Sequence, residues 1–316
     1  NRMNRKVFQA NTTRRSVSSL ADIVARAQQG GASARSELCA TLAWVAFANP
    51  EATQNVYDHI ANSWLNTGES LSDALKPTPD CTLNDEFWTA FWSMIDDAEK
   101  GYDATSITLR AAGLGGFVDQ EFGIRAEAAA CDHAGVRTPE KKAIPGVISF
   151  DTLSRLPENS LGRELHDMWV TNNFDPEVLD RNAIGLSALP PALNYLNTRI
   201  LQMHDVWHLM AGYETTALHE VAISSFQLAQ FGHNYSAMFL ASSLTISANR
   251  SPEGFALLMH VVSEAWQHGR RSPNLMDIEW EDCWNKSTQA LRQEFGIRPF
   301  ESAFPADTIE QAMANL

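Results

Sequence analysis

An all-α fold is what this 316-residue sequence predicts, and three observations carry the prediction. Apolar residues recur at three- and four-residue steps along most of the chain, the spacing that lines one face of a helix. The strict apolar–polar alternation of a half-buried strand is nearly absent. Gly, Pro, Ser, Thr and Asn punctuate the runs where helices start and stop. At 44% hydrophobic and 20% charged residues, the composition is that of a globular protein.

Taken in order, residues 1–16 form a basic arm, NRMNRKVFQANTTRR and one serine, with no apolar core behind it. That excludes a secretory signal, while the Arg-rich, acid-free start also suits the remnant of a mitochondrial presequence. Residues 17–118 read as a helical region. LADIVARAQ stops at Gly30-Gly31, and Ser33 begins ARSELCATLAWVAFA, which ends before Pro50, a residue suited to a first helical turn. The next run places Val56, Ile60 and Trp64 four apart. Asn84 can cap DEFWTAFWSMIDDAEKGY, where Phe87, Trp88, Phe91 and Trp92 make a stripe expected in a core or helix seam, or on a partner-facing surface. Residues 119–148, with Pro139, Lys141, Lys142 and Pro145, read as a linker.

A second helical domain is expected over 149–298, with 299–316 as a tail. Ser160 is the expected cap of LGRELHDMW, and Asp175-Pro176 a turn or a new helix start. A long helix runs from about Pro190 to Ala211 and stops at Gly212; another begins near Thr215-Thr216 and carries Glu220. From Val221 to Asn249 there is no Asp, Glu, Lys or Arg, yet Ser, Gln, Asn and His233 recur. A bilayer core would be costly for so many hydroxyls and amides. The stretch reads as a buried helix pair in a large core, or as the wall of a neutral cavity for an apolar ligand. The final run places Leu291 and Phe295 on one amphipathic face.

Lys+Arg 24 against Asp+Glu 38 gives a net charge of −14, which argues against a general nucleic-acid binder. Docking on an anionic membrane would need a local basic patch, and Arg270-Arg271 is the best available. Cys39, Cys81, Cys131 and Cys283 lie far apart with no CxxC pair, unlike a disulfide framework or a cysteine zinc site.

The chemistry concentrates in RILQMHDVWHLMAGYETTALHE. His204 and His208, four apart, share one helical face, and Asp205 sits on the adjacent flank. Glu220 follows His208 after eleven residues; on one unbroken helix it would stand about 18 Å away. A reversal near Gly212 and the threonines would bring it back, giving a metal site between two consecutive helices. Two imidazoles with one or two carboxylates suit Zn2+ and other divalent ions. A bare His-x3-His is common on helices; Asp205, the helix break and Glu220 raise this one above that background. The metalloprotease signature HExxH differs, since its Glu is a general base and Asp205 is one methylene shorter.

His-Asp-x-x-His followed by that spaced Glu resembles the signature of the fourth coenzyme Q biosynthesis protein family. PGVISFDTLSRLPENSLGRELHDMW looks like the family's LP-x-x-SLGR segment. Arg199 also matches, as do the GRR-x-P and W-x(6)-LR-x-E-x-GI features of EAWQHGRRSPNLMDIEWEDCWNKSTQALRQEFGI. Together these cover residues 145–298, while 17–118 has no counterpart and reads as an added helical layer. His219 stands where the family usually has Gly, and Ser224-Ser225 where it has Lys-Trp.

The resemblance implies an all-helical protein of ubiquinone head-group processing: metal-dependent, oxidative decarboxylation of a polyprenylated hydroxybenzoate-type ring. His204, Asp205, His208 and Glu220 would hold a divalent metal, Zn2+ first, with Fe2+ or Mg2+ as alternatives. Asp205 and Glu220 are candidate proton carriers. His219 is either a third such group or a partly exposed helix histidine. Arg163, Arg199, Arg270 and Arg271 are candidates to neutralise a carboxylate or lipid headgroup, or surface arginines in salt bridges. His166-Asp167 repeats the His-Asp pair without a second His and reads as surface or supporting structure. The implied partners are a prenylated quinone precursor or other lipid, other ubiquinone-biosynthesis enzymes, a membrane surface held peripherally, and a second copy in a homodimer. The implied location is the bacterial cytoplasm beside the inner membrane, or the mitochondrial matrix side in a eukaryote. Two alternatives compete: a non-catalytic lipid-binding organiser, and an enzyme acting on another prenylated or polycyclic substrate.

Overall fold

The computed structural model describes residues 3–72, 75–98, 100–101, 104–137, 143, 146–176, 182 and 185–316. Among them no strand occurs, and the regular structure is all helical. Pro139, Lys141, Lys142 and Pro145 lie outside the described residues. Within the stretch expected as a linker, Gln120–Cys131 is a helix.

The chain divides into two compact units, each discontinuous in sequence. The first comprises Asn1–Ala129, Thr216–Arg270 and Ser302–Leu316. Its helices are α1 (Arg5–Asn11), α2 (Val17–Gln28), α3 (Ala32–Phe47), α4 (Thr53–Leu65), α5 (Asp85–Ala98), α6 (Ala104–Leu114) and most of α7 (Gln120–Cys131). The second comprises Ala130–Thr215 and Arg271–Glu301, with α8 (Phe150–Ser154), α9 (Leu161–Asn172) and α10 (Pro191–Ala211). The chain then returns to the first unit with α11 (Ala217–Phe231), α12 (Asn234–Arg250) and nearly all of α13 (Pro252–Arg271). α14 (Thr288–Phe295) completes the second unit, and α15 (Thr308–Ala314) rejoins the first.

In the first unit α12 packs along α3, and α2 packs on α3 and α4. α3 is buried nearly all round from Leu38 to Phe47, as a central helix must be if it touches neighbours on every side. The uncharged stretch from Val221 is the matching layer. Ser225 donates to the Val262 carbonyl, Ser242 to Met238 and Thr245 to Ala241, so these buried hydroxyls are satisfied inside the core. That accounts for the neutral composition as core. Ser225 and Gly269 also let α11 and α13 approach closely. A Cβ at Gly269 would stand 2.8 Å from the Phe226 carbonyl oxygen and 2.8 Å from Ala229 Cβ.

The aromatic stripe is interior. Phe87, Trp88, Phe91 and Trp92 are buried against Phe8 of α1 and Phe47 of α3, with Phe8–Trp92 and Phe47–Phe87 ring centroids each 5.0 Å apart. A partner-facing role for this stripe is therefore overturned.

Arg125 of α7 is held on Glu51 through Nε at 2.6 Å and Nη2 at 2.7 Å, and also donates to the Pro79 carbonyl. Burial pushes the Glu51 carboxyl up, but the Arg125 guanidinium outweighs it and leaves Glu51 below its ordinary value of 4.5. A carboxylate depressed in the fold stabilises above its unfolded value and loses that contribution as pH falls through the folded one. Glu51→Gln should cost about 1.5 kcal/mol at pH 7. The difference in melting temperature between the two proteins should close as pH falls below 4.5; a gap constant down to pH 3 would show that ionisation of Glu51 is irrelevant.

Candidate metal centre

α10 carries the candidate ligands, and its two ends are fixed by different means. Pro190-Pro191 opens it with a backbone already set for a first turn. Gly212 closes it in the left-handed conformation at φ +80°, a conformation that favours glycine. The end is then clamped by residues much later in the sequence. Arg292 of α14 donates from Nε to the Met210 carbonyl at 3.0 Å and from Nη2 to the Leu209 carbonyl at 2.5 Å. The Phe300 amide donates to the Ala211 carbonyl at 2.8 Å. These are carbonyls that a helix C-terminus leaves without intrahelical partners, and a cation there is favoured by the helix dipole.

On this fixed helix His204, Asp205 and His208 each offer a ligand atom, all within 4.8 Å of one another. Asp205 is 5% exposed and His208 2%, while His204 is half-buried. The two Nε2 atoms stand 3.0 Å apart, with ring planes at 84°. Two imidazoles sharing a tetrahedral ion at ordinary Zn–N lengths would bring those nitrogens to about 3.3 Å, so the pair fits a cation with minor adjustment. His208 Nδ1 lies 3.0 Å from the Tyr213 carbonyl, which accepts its proton and leaves Nε2 as the lone-pair nitrogen. Trp169 Nε1 donates to Asp205 Oδ2 at 2.9 Å. Two ligand candidates are thus oriented by groups outside the cluster, the usual arrangement around a protein-bound metal. Sequence reasoning missed Trp169, Tyr213 and Arg292 in these roles. Trp169 ends the LGRELHDMW motif, but no spacing rule couples it to a residue 36 positions away.

The remaining sequence-derived residues are placed as follows. Glu220 and His219 lie in the first turn of α11, capped by Thr216, and belong to the first compact unit. His219 is buried, not partly exposed. Arg199 is buried and paired with Glu281, Nη2 to Oε2 being 3.1 Å, and also donates to Gln202 at 2.9 Å. Burial pushes the Glu281 carboxyl up, yet the Arg199 guanidinium holds it below the usual carboxylate range. Arg199, Gln202 and Tyr195 line a cavity of about 690 Å³ with Trp284, Met276 and Glu279. Arg199 and His208 are nine residues apart, about two and a half turns, so this cavity faces the flank of α10 away from His208. Arg163 pairs with Asp167 at 3.2 Å on the surface, and His166 with the same carboxylate at 3.0 Å, which agrees with a supporting role for that motif. Arg270 is bound to Asp58, which also accepts from Trp266 Nε1 at 2.7 Å; Arg271 is exposed.

Residues 141–301, about half of the chain, match the protein family described as Coenzyme Q (ubiquinone) biosynthesis protein Coq4. The chain belongs to that family. Among Coq4 relatives, the rat mitochondrial homologue is 30% identical over 152 residues, 48% of this chain and 56% of that protein. A Drosophila ananassae homologue is 33% identical over 153 residues, 48% of this chain and 54% of its own. The mitochondrial protein of Mycosarcoma maydis is 29% identical over 179 residues, 48% of each. The chain therefore spans about half the length of these Coq4 relatives. A solved structure from Nostoc punctiforme, described as a ubiquinone biosynthesis protein, shares the fold at a TM-score of 0.52 and 22% identity, covering 68% of this chain and 99% of that one. Two Coq4 motifs meet in the structure: Leu161 and Gly162 of the SLGR segment donate to the Lys286 and Trp284 carbonyls.

Proposed function

We propose that this chain acts in ubiquinone biosynthesis as a metal-dependent enzyme that removes the ring carboxylate of a polyprenylated hydroxybenzoate-type precursor. Family membership supports the pathway, and the relatives named above are called ubiquinone biosynthesis proteins. The observation that carries the chemistry is the His204–Asp205–His208 cluster, with Asp205 and His208 buried and each held by a partner outside it. His204, Asp205 and His208 would hold a divalent cation. Zn2+ suits the donor set best, and Fe2+ or Mg2+ are the other choices.

When bound, the cation supplies Lewis-acid stabilisation of negative charge on the substrate's carboxylate or phenolic oxygen. The bond between ring carbon and carboxylate breaks, carbon dioxide leaves, and the electron pair stays on the ring carbon, which takes a proton. Asp205, when not engaged as a ligand, is the carboxylate of the cluster that would deliver that proton. An oxidative course, with hydroxyl replacing the carboxylate, would draw on dioxygen as oxidant. Arg270 and Arg271 are the contact with a lipid headgroup, where exchange with Asp58 frees the first of them. No helix of the described residues is long and apolar enough to cross a membrane, in keeping with peripheral attachment beside other ubiquinone-biosynthesis enzymes. The relatives named above are mitochondrial, which favours a mitochondrial setting for this chain if its source is eukaryotic.

The test is made in cells that depend on this chain for quinone synthesis. With His204→Ala, mass spectrometry of lipid extracts should show the prenylated ring accumulating with its carboxylate still attached. Normal quinone levels from a folded, metal-free variant would overturn the catalytic reading and favour an organising role.

A further inference from the structure

Asp205 is nearly devoid of solvent, and a carboxylate in that position needs hydrogen-bond donors to stay in place. One donor is the indole N–H of Trp169, at 2.9 Å from Oδ2, on a side chain that is itself 1% exposed. Trp169 lies in the last turns of α9, and α9 packs on α10. Its ring is further held by Phe150 of α8, stacked at 6.1 Å between centroids and 16° between planes. The indole cannot turn away without disrupting that packing. Its N–H therefore fixes one carboxylate oxygen, and the torsion of Asp205 with it, which leaves Oδ1 as the oxygen free to meet a cation shared with the imidazoles. His208 is treated in parallel, since its Nδ1–H donates to the Tyr213 carbonyl and Nε2 keeps the lone pair. The Asp205 contact differs from the His208 contact in kind: it comes from another helix, so it ties the cluster's geometry to the docking of α9.

We propose that Trp169 is a positioning residue of the metal centre, setting the Asp205 carboxylate for the cation through its indole N–H. This rests on the metal-binding reading above. Groups that orient metal ligands typically change affinity 10–100-fold when removed. Trp169→Phe keeps an aromatic ring in the site and deletes the donor. Titration of the metal-free, full-length chain with Zn2+ should show affinity about 10–100-fold weaker in Trp169→Phe, with the same stoichiometry and the same far-ultraviolet circular dichroism.

A role through Asp205 is separated from loose packing by a double-mutant cycle. In an Asp205→Asn background, Trp169→Phe should weaken Zn2+ binding by less than about three-fold, because the carboxylate it serves is already gone. Equal losses in both backgrounds would overturn the proposal. If the native chain binds no Zn2+, the metal reading itself fails; if the native chain binds and Trp169→Phe binds equally well, only the role of Trp169 fails. Should Trp169→Phe not fold, the bond is read in the metal-free chain by 15N-labelled tryptophan. One of the nine indole N–H resonances should move between native and Asp205→Asn proteins, and no movement would overturn the proposal.

Discussion

A His208→Asn variant should stay folded and lose roughly 100-fold or more in Zn2+ affinity. The amide nitrogen of Asn lies close to the position of imidazole Nδ1, so it keeps the hydrogen bond to the Tyr213 carbonyl that His208 makes at 3.0 Å. What it lacks is any counterpart of Nε2, the atom that faces His204. Structural zinc sites bind with about 10–16 kcal/mol in total, so one of four ligands is worth about 3 kcal/mol. The measurement is Zn2+ titration with thermal unfolding of the metal-free form as the control. Undiminished affinity in a folded variant would remove His208 from the site.

Gly212→Ala should be the most destabilising conservative change near the site, at about 3–4 kcal/mol. At φ +80° an L side chain is strained even in open space. Here the space is filled: a Cβ would stand 2.8 Å from Pro299 Cβ and 3.0 Å from the Phe300 nitrogen. The Phe300 amide is the donor to the Ala211 carbonyl, so it cannot retreat without breaking the clamp on α10. Denaturant unfolding measures the loss; a change below 1 kcal/mol would mean that the clamp yields freely.

The helical class and several caps were legible because they are local. Ser160 caps α9, Thr216 caps α11, and the Asn84 side chain accepts from the Phe87 amide, as the residue types predict. The cluster on α10 was legible for the same reason, since four-residue spacing is enough to place His204 and His208 together. What depends on distant segments was not. The clamp from Arg292 bridges 83 residues and the Trp169–Asp205 bond 36, and no periodicity announces either. The neutral run after Glu220 fitted core and cavity wall equally from its letters; the partner helix α3, some two hundred positions earlier, decides for core. The aromatic stripe was ambiguous likewise until Phe8 and Phe47 covered it.

The hold of α14 on α10 also bears on how the protein is made. Translation reaches Arg292 only 83 residues after Leu209, about 4–17 s later at ordinary elongation rates. Until then the ribosome-bound chain carries α10 with its last carbonyls unclaimed and His204 and His208 without a settled frame. A chain cut short before Arg292 would present His204, Asp205 and His208 in order and still lack the closure that steadies them, so the cluster gains its frame only after residue 292 has been made.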